Sequence, residues 1–296
     1  MTARHERVTA MHQRDQVISA NVEFYREMAE KYDRYESCAG NVFFQAMLEN
    51  DVKQMAGKLG DRFAKIRCLD CGGGTGNLTL KLLSQGWDVT VVDVSREMLE
   101  ISRAKVTASG HSATFVNDSI ENFLKSSGEN FEFVSFSSVL HHVYSPAQMV
   151  LEVAPRIRPG GIFYSNFDPV VPLSRPLAAS FSTVDTVVAK LLYDRMDFLP
   201  GLTRRLRKLT LPKNHEYARV VAGPGDLAEF HAHRGLDDCL IANALEENDF
   251  QVTRIRYAAG RTKMTRWVNA RLQASLTFKI MAQRRDNHPA SSLIDK

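Results

Sequence analysis

Apolar residues in the middle of the chain occur in short runs, and these runs alternate with stretches of helix-like spacing. Five runs predict strands over 66–70, 87–92, 113–116, 131–136 and 162–166. The stretches between them carry apolar residues three or four positions apart, which predicts helices. Alternation of this kind is typical of a parallel, doubly wound α/β sheet. Because right-handed crossovers place the carboxyl ends of such strands at one edge, we expect the ligand site there.

Capping and chain-breaking residues refine this pattern. Ser95 is typical of a helix N-cap and predicts a helix that continues to Thr107. The sequence Pro159-Gly160-Gly161 predicts a break before the fifth strand. Further helices are expected over 77–85, 146–157 and 235–248, with closing strands over 250–257 and 275–282.

Two regions interrupt the alternation. Between positions 24 and 44 the chain carries six aromatic residues. They indicate either helix faces that pack on a core or an N-terminal flap that walls a pocket. Prolines punctuate a second region, which we interpret as a helical lid. The expected division is a helical flap (1–60), a core (61–169), the lid (170–225), the rest of the core (226–285) and a tail (286–296).

The composition narrows the class of protein. Of 296 residues, 44% are hydrophobic and 24% charged, which excludes a disordered or collagen-like chain. The start is polar and no long apolar run follows, so neither a secretory signal nor a membrane span is expected. Four cysteines fit a reducing cytoplasm, where we expect the protein.

The net charge of +4 is too small to indicate a nucleic-acid partner. Basic residues concentrate in 195–219, above all in Arg204-Arg205-Leu206-Arg207-Lys208. This stretch is a solvated helix face, or it binds an acidic substrate or a membrane surface. Membrane contact is not the favoured interpretation, and the oligomeric state stays open.

A glycine cluster carries the strongest functional signal. The sequence Asp70-Cys71-Gly72-Gly73-Gly74-Thr75-Gly76-Asn77 follows the first strand, where glycines permit a tight turn close to a ligand. The dinucleotide pattern G-x-G-x-x-G is not met, because Asn77 or Thr79 stands at its third glycine, so a nicotinamide dehydrogenase is disfavoured. Asp93 lies 19 positions after Gly74, which suits a carboxylate that binds ribose hydroxyls.

The pattern Asp70-x-Gly72-x-Gly74-x-Gly76 resembles the signature loop of the class I S-adenosylmethionine (SAM) methyltransferases. The resemblance covers residues 65–168 and resumes over 225–283. It implies a seven-stranded, mostly parallel sheet, SAM as cofactor, and an acceptor site shaped by the N-terminal helices and the lid. Four further blocks follow in order: Val91-Val92-Asp93-Val94-Ser95, Asn117-Asp118-Ser119, 136–143 and 151–161.

The resemblance also implies roles for individual residues. Gly72, Gly74 and Gly76 would lie beside the methionine part of SAM. Asp70 would hold the loop, or the amino group through water, and Asp93 would bind the ribose hydroxyls. The other implied contacts are Val94 and Met98 at the adenine, Asp118 at adenine N6 with Ser119 nearby, and Ser138 at the amino-acid end.

Features that are missing after the fourth strand indicate a small-molecule acceptor. The chain has Ser135-Phe136-Ser137-Ser138 there. Base amine methylases carry an Asn/Asp-Pro-Pro-aromatic tetrad at this place, RNA cytosine-C5 methylases a nucleophilic cysteine, and catechol-type enzymes metal-binding carboxylates. Methyl transfer to a hydroxyl gains from a base, and histidine suits neutral pH. His142 is preferred over His141 as that base, while a hydrogen-bonded loop histidine is the alternative.

Remaining candidates concern the acceptor and metals. The acceptor wall is expected to include Tyr32, Tyr35 and Phe181. Cys68-x-x-Cys71 resembles a redox pair, but its position in a strand favours plain burial. His231-x-His233 with Cys239 has no fourth ligand at a suitable spacing for zinc, so no metal is expected. The sequence therefore predicts methyl transfer to a small molecule, with oxygen favoured over nitrogen and carbon. Alternatives are a lipid or quinone acceptor at a membrane, or a SAM-binding protein without transfer activity.

Overall fold

A single seven-stranded sheet forms the centre of the molecule. The computed structural model describes residues 2–171, 227–228, 231, 235–258, 263–272 and 277–286. In chain order the strands are β1 (Arg67–Cys71), β2 (Asp88–Asp93), β3 (Thr114–Asn117), β4 (Phe131–Ser137), β5 (Ile157–Pro169), β6 (Phe250–Tyr257) and β7 (Thr277–Arg284).

The spatial order of the strands is β3-β2-β1-β4-β5-β7-β6. Strands β1 to β5 pair in parallel, whereas β7 is antiparallel to both β5 and β6. The order changes direction between β1 and β4, and doubly wound sheets bind ligands outside the carboxyl ends of their strands at such a point. The predicted doubly wound, mostly parallel sheet of seven strands is confirmed.

Helices cover both faces of this sheet. Leu48 and Leu82 are buried in one apolar cluster, while Val150 and Leu245 belong to a second cluster on the opposite face. None of the described helices combines the length and apolar character needed to cross a membrane. The helices are α1 (Thr2–Met28), α2 (Tyr32–Tyr35), α3 (Ser37–Gly40), α4 (Val42–Gly60), α5 (Asn77–Leu83), α6 (Arg96–Ala108), α7 (Ile120–Ser126), α8 (Pro146–Val153), α9 (Asp238–Glu246) and α10 (Lys263–Arg271).

The structure differs from the sequence prediction around β5. The helix expected over 146–157 ends at Val153, since Pro155 in the following 3₁₀ turn has no N–H to continue the α-helical hydrogen bonds. The strand begins at Ile157 and continues through the expected break, because the three residues Pro159-Gly160-Gly161 fall within a register shift against β4. The chain breakers therefore produce a bulge instead of a strand end. Helices α7 and α10 were not anticipated from the pattern.

The predicted cap at Ser95 is confirmed, and it places a helix directly after β2. The Ser95 hydroxyl oxygen accepts from the Met98 N–H at 3.3 Å, and α6 then runs from Arg96 to Ala108. Ser119 caps α7 in the same way, with its Oγ 3.2 Å from the Asn122 nitrogen. Both helices thus begin at the edge of the sheet where the strands end.

A buried polar network fixes α4 to the antiparallel end of the sheet. The Asp51 carboxylate accepts from the Tyr164 hydroxyl at 2.8 Å and lies 2.6 Å from Lys279 Nζ. Both charged side chains are buried, so each compensates the other in a region without bulk water. Asn166 donates to the Tyr164 oxygen and accepts from Tyr257, which extends the network to β6.

Removing Asp51 tests this network. We expect Asp51→Ala to lower the free energy of unfolding by about 3–5 kcal/mol, because Lys279 would remain buried without its counter-charge. Urea denaturation would measure the loss. Glu49→Ala is the matched control on the same helix. Glu49 pairs with Lys53 at the surface, so this change should leave stability nearly unaltered. Equal effects of the two variants would contradict a structural role for the buried pair.

Candidate active site

An open cavity lies outside the carboxyl ends of β1, β2 and β4. Its volume is about 710 Å³, counting the open mouth. Its walls come from α1, the turn after β1, the end of β2, the start of α7 and the segment after β4. A smaller cavity of about 350 Å³ adjoins it, and Tyr32, Gly72 and Gly74 line both. The site is therefore at the edge that the sequence predicts.

Glycines shape the turn between β1 and α5 in three different ways. Gly72 has a φ of +64°, and an added Cβ would fall 2.7 Å from a methyl carbon of Val139. At Gly74, with a φ of +53°, an added Cβ would meet only the carbonyl oxygen of Gly72 within 4 Å among the described residues. Gly76 is the N-cap residue of α5 and packs against Ser102. It lines neither cavity. The turn thus presents bare backbone to a ligand.

The Asp93 carboxylate joins this turn to the end of β2. One oxygen accepts from the Gly74 N–H at 2.9 Å, and the other accepts from the Ser95 N–H at 2.8 Å. Burial raises the pKa of Asp93 to about 6, although the two backbone N–H groups act in the opposite direction. Asp93 also lines the larger cavity, and each carboxylate oxygen has a further lone pair that can accept from a ligand hydroxyl.

Asp70 holds the base of the turn. Its carboxylate accepts from the Ser135 hydroxyl at 2.9 Å and from the Thr79 hydroxyl at 2.7 Å. Burial raises the pKa of Asp70 to about 6, and the charge of Asp93 adds to this rise. Asp70 lines the smaller cavity. It therefore connects β1, β4 and α5 directly beneath the glycines.

The candidates for adenine contact fall into two groups. Val94, Met98 and Ser119 line the larger cavity. Asp118 is half-buried and does not line it. One Asp118 oxygen accepts from the Ser119 N–H at 2.7 Å and from the Asn122 side-chain amide at 3.0 Å. The observed contacts of Asp118 thus orient the start of α7.

Ser138 follows β4 in a left-handed backbone conformation. Its φ is +62°, a backbone conformation that residues other than glycine rarely adopt and that costs about 1 kcal/mol. Its N–H donates to the Asn166 carbonyl at 2.7 Å, and its side chain lines the larger cavity. Backbone strain of this kind concentrates at functional sites.

The N-terminal helices are anchored directly to the glycine turn. The Thr75 hydroxyl donates to Asp33 of α2 at 2.5 Å, and Lys105 of α6 forms an ion pair with the same carboxylate. The Asn77 side chain donates to the Cys38 carbonyl at 3.2 Å. Because of these contacts, Tyr32 lies over both cavities. The side chain of Tyr35 and the whole of Phe181 lie outside the described residues.

His142 carries a defined pattern of hydrogen bonds. Its Nδ1 is 2.6 Å from the Ala228 carbonyl oxygen and its Nε2 is 2.7 Å from the Tyr25 hydroxyl. Burial lowers the pKa of His142 well below its usual value, and the neighbouring His141 lowers it further. The imidazole is therefore neutral at pH 7. Asn21 of α1 donates to the His142 carbonyl at 3.1 Å, which holds α1 against this segment.

His141 points in another direction from its neighbour. It is buried, its Nδ1 is 2.8 Å from Asp168, and it does not line the larger cavity. Asp168 also accepts from the Ser165 hydroxyl. The centroids of the two imidazole rings are 3.8 Å apart, so the ring of His141 packs against the ring of His142. Of the two candidate bases, the structure brings His142 to the cavity.

Tyr25 is one of several cavity residues that sequence reasoning missed as site candidates. The aromatic residues near it were noted, but nothing in their spacing singles out this one. Its importance comes from a contact with a residue 117 positions away, which no local pattern encodes.

Cysteine and metal candidates behave as structural groups. Burial raises the pKa of both the Cys68 and the Cys71 thiol, which disfavours the reactive thiolate. In the described part of the chain, Asp237, Asp238 and Cys239 have ligand atoms close together. Within this cluster, Arg254 and Arg256 form ion pairs with Asp238. His231 contacts the Tyr144 carbonyl, and His233 lies outside the described residues.

Residues 68–161 match the family model described as a methyltransferase domain. This segment includes the glycine turn, Asp93 and His142. The resemblance to the class I methyltransferases is confirmed.

Curated relatives match about a third of this chain or slightly more. A ubiquinone biosynthesis O-methyltransferase of Proteus mirabilis (strain HI4320) is 30% identical over 103 residues, which are 34% of this chain and 42% of that protein. The corresponding protein of Serratia proteamaculans (strain 568) is 28% identical over 120 residues, 40% of this chain and 48% of that protein. The chain thus matches less than half the length of these relatives.

Solved structures resemble the fold over nearly the whole chain. A plantazolicin methyltransferase, in complex with a monoazolic desmethyl analogue and S-adenosylhomocysteine (SAH), has a TM-score of 0.53 at 12% identity and covers 94% of this chain and 98% of its own. Magnesium protoporphyrin IX methyltransferase from Synechocystis PCC 6803 with bound SAM has a TM-score of 0.50 at 14% identity, covering 90% of this chain and 97% of its own. At these identities the likeness shows the fold alone.

The raised pKa of Asp70 gives a prediction about stability. Because this pKa is about 6 in the folded state and near 3.9 when unfolded, ionisation destabilises the fold as pH rises through that interval. We expect Asp70→Asn to raise the free energy of unfolding at neutral pH by about 1–2 kcal/mol, since the Ser135 and Thr79 hydroxyls can rotate to pair with an amide. The gain should shrink towards pH 4.

Urea denaturation of both proteins at several pH values would measure this difference. Asp88→Asn is the control, because Asp88 is an exposed carboxylate at the other end of a neighbouring strand. A difference between wild type and Asp70→Asn that does not change with pH would contradict the effect of burial.

Proposed function

We propose that the chain is a SAM-dependent methyltransferase that transfers a methyl group to an oxygen atom of a small-molecule acceptor. The observation that carries the proposal is the convergence of three features on one cavity. These are the bare glycine turn, the buried Asp93 carboxylate and the neutral His142. The ubiquinone biosynthesis O-methyltransferases among the relatives support oxygen as the methylated atom.

The residues present fit the cofactor. Asp93 would accept from the ribose hydroxyls, and the backbone at Gly72 and Gly74 would adjoin the methionine part. Val94 and Met98 line the cavity and would flank the adenine, with Ser119 nearby, and Asp118 would accept from the adenine amine. Ser138 and Asp70 would meet the amino-acid end. When bound, SAM supplies a methyl group that is already activated by its sulfonium.

The protein then has to align the acceptor, exclude water and receive a proton. Val17 and Ile18 of α1 line the cavity together with Val143 and Tyr144, and these residues would form its acceptor side. These apolar and aromatic walls suit an acceptor with an aromatic or apolar body. His142 is neutral at pH 7 and would take up the proton that a hydroxyl acceptor loses. Tyr32, Tyr35 and Phe181 are further acceptor contacts in this proposal.

A quinone precursor or lipid at a membrane surface is the second candidate acceptor. The relatives named for ubiquinone biosynthesis and the apolar acceptor wall favour it. Sedimentation with anionic liposomes, weakened by added salt, would support this version. Equal recovery of the protein in the supernatant with and without liposomes would reject it.

Calorimetric titration with SAM and, separately, with SAH tests the cofactor. Micromolar binding of both is the expected result. A screen of phenols and quinols with detection of SAH release would then test transfer. Binding without turnover on any acceptor would favour a SAM-binding protein without transfer activity. Failure of the folded protein to bind either nucleoside would overturn the proposal.

Asp93 provides the sharpest test of the binding mode. Asp93→Ala should weaken SAM affinity by about 1–3 kcal/mol, or roughly 5- to 150-fold, because two ribose hydroxyls lose their acceptor. Asp88→Ala removes a carboxylate at the exposed start of the same strand and should leave the affinity unchanged. Thermal unfolding would show whether each variant is folded. Unaltered affinity of folded Asp93→Ala would mean that the ribose lies elsewhere.

A further inference from the structure

The hydrogen bonds around His142 define the direction in which a proton can move. A backbone carbonyl can only accept, so the Nδ1 that lies 2.6 Å from the Ala228 oxygen carries the hydrogen. In the neutral ring the other nitrogen, Nε2, is then an acceptor. The Tyr25 hydroxyl, 2.7 Å away, must therefore donate to it. The chain of donors runs from Tyr25 through His142 to Ala228.

This arrangement prevents direct contact between His142 Nε2 and an acceptor hydroxyl. The Tyr25 hydroxyl already occupies the lone pair that a base would use. Tyr25 itself lines the cavity, beside His142 and Ser138. A phenol oxygen that donates one hydrogen bond can still accept another, so its oxygen is the atom that a substrate hydroxyl can reach.

We propose that Tyr25 is a catalytic residue that takes the proton of the acceptor hydroxyl while it passes its own proton to His142. The inference rests on the proposed methyl transfer to oxygen. As the methyl–sulfur bond breaks with its electron pair on sulfur, the new bond forms between the methyl carbon and the acceptor oxygen. The acceptor proton moves to the Tyr25 oxygen, and the Tyr25 proton moves to Nε2. The products are a thioether, a methyl ether and an imidazolium.

The net charge of the site does not change in this step. One positive charge leaves the sulfonium and one appears on His142, where the Ala228 carbonyl faces the Nδ1–H. Transfer of a charge between two groups in the same cavity avoids the cost of creating a new ion in a buried region. This balance explains how a histidine that is neutral in the resting protein can still receive the proton.

Packing fixes Tyr25 in the required position. Its ring meets that of His142 edge-to-face, with centroids 5.3 Å apart, and it contacts the rings of Phe24 and Tyr32. One turn earlier in α1, Asn21 donates to the His142 carbonyl. The hydroxyl is therefore held by both the helix and its aromatic neighbours, as a relay requires.

Two phenols of different acidity test the relay. At about pH 8.5, 4-nitrophenol is largely ionised, whereas phenol itself is neutral and must lose a proton. We expect Tyr25→Phe to lower kcat for phenol by about 100-fold or more. The same variant should change kcat for 4-nitrophenol and the Kd for SAM less than about threefold, because neither depends on proton removal.

Two further variants separate chemistry from structure. Tyr257→Phe removes a hydrogen-bonded phenol hydroxyl outside the cavity, and it should not distinguish the two phenols. His142→Gln should show the same selective loss as Tyr25→Phe. The kcat of the double variant on phenol should be no lower than that of the less active single variant, since the two residues act as one unit.

The outcomes distinguish failure of the relay from failure of the proposed function. Equal kcat of wild type and Tyr25→Phe on phenol would overturn the relay and leave the function standing. An equal loss of kcat on both phenols in Tyr25→Phe would also overturn the relay, because a structural role of Tyr25 would then explain the loss. If wild type binds SAM but methylates neither phenol, transfer to a phenolic hydroxyl fails and the relay fails with it.

Discussion

The turn after β1 depends on a carboxylate that is buried at a cost. Asp93 holds the N–H groups of Gly74 and Ser95, and so it fixes the glycine turn to the start of α6. Its pKa of about 6 shows that burial works against the charged form. Asp51 is buried too, but Lys279 compensates its charge. A carboxylate that two backbone N–H groups hold at a cavity wall is therefore a candidate for ligand binding.

The second constraint is the way in which the N-terminal helices close the site. Asp33 contacts the glycine turn through Thr75, and Tyr25 contacts the segment after β4 through His142. The proposed cofactor and acceptor walls are thus both held by the N-terminal helices, although these helices lie outside the matched methyltransferase domain. A change in the position of these helices would alter both walls together.

Local signals determined what could be predicted from the sequence. Apolar runs identified the strands, and the glycines and Asp93 identified the edge of the sheet where the cavity lies, because each of these features depends on neighbouring residues. The extension of β5 was missed, since Pro159-Gly160-Gly161 forms a bulge only when β4 is beside it. The Tyr25–His142 and Asp51–Lys279 pairs join residues more than one hundred positions apart. Only the folded chain shows such contacts. The predicted domain limits and the role of Phe181 stay predictions.

The electrostatics of the two ends of the site fit one reaction. Asp70 and Asp93 place negative charge at the end proposed for a cationic cofactor, and such a cation would favour their ionised forms. At the acceptor end, burial keeps His142 neutral. Burial thus lowers the imidazole pKa, so that a base faces the proposed hydroxyl side, and it raises both carboxylate pKa values only to about 6, which leaves them mostly ionised at pH 7. The proposed methyl transfer would move the positive charge from the first end to the second, where the Ala228 carbonyl faces the Nδ1–H of His142.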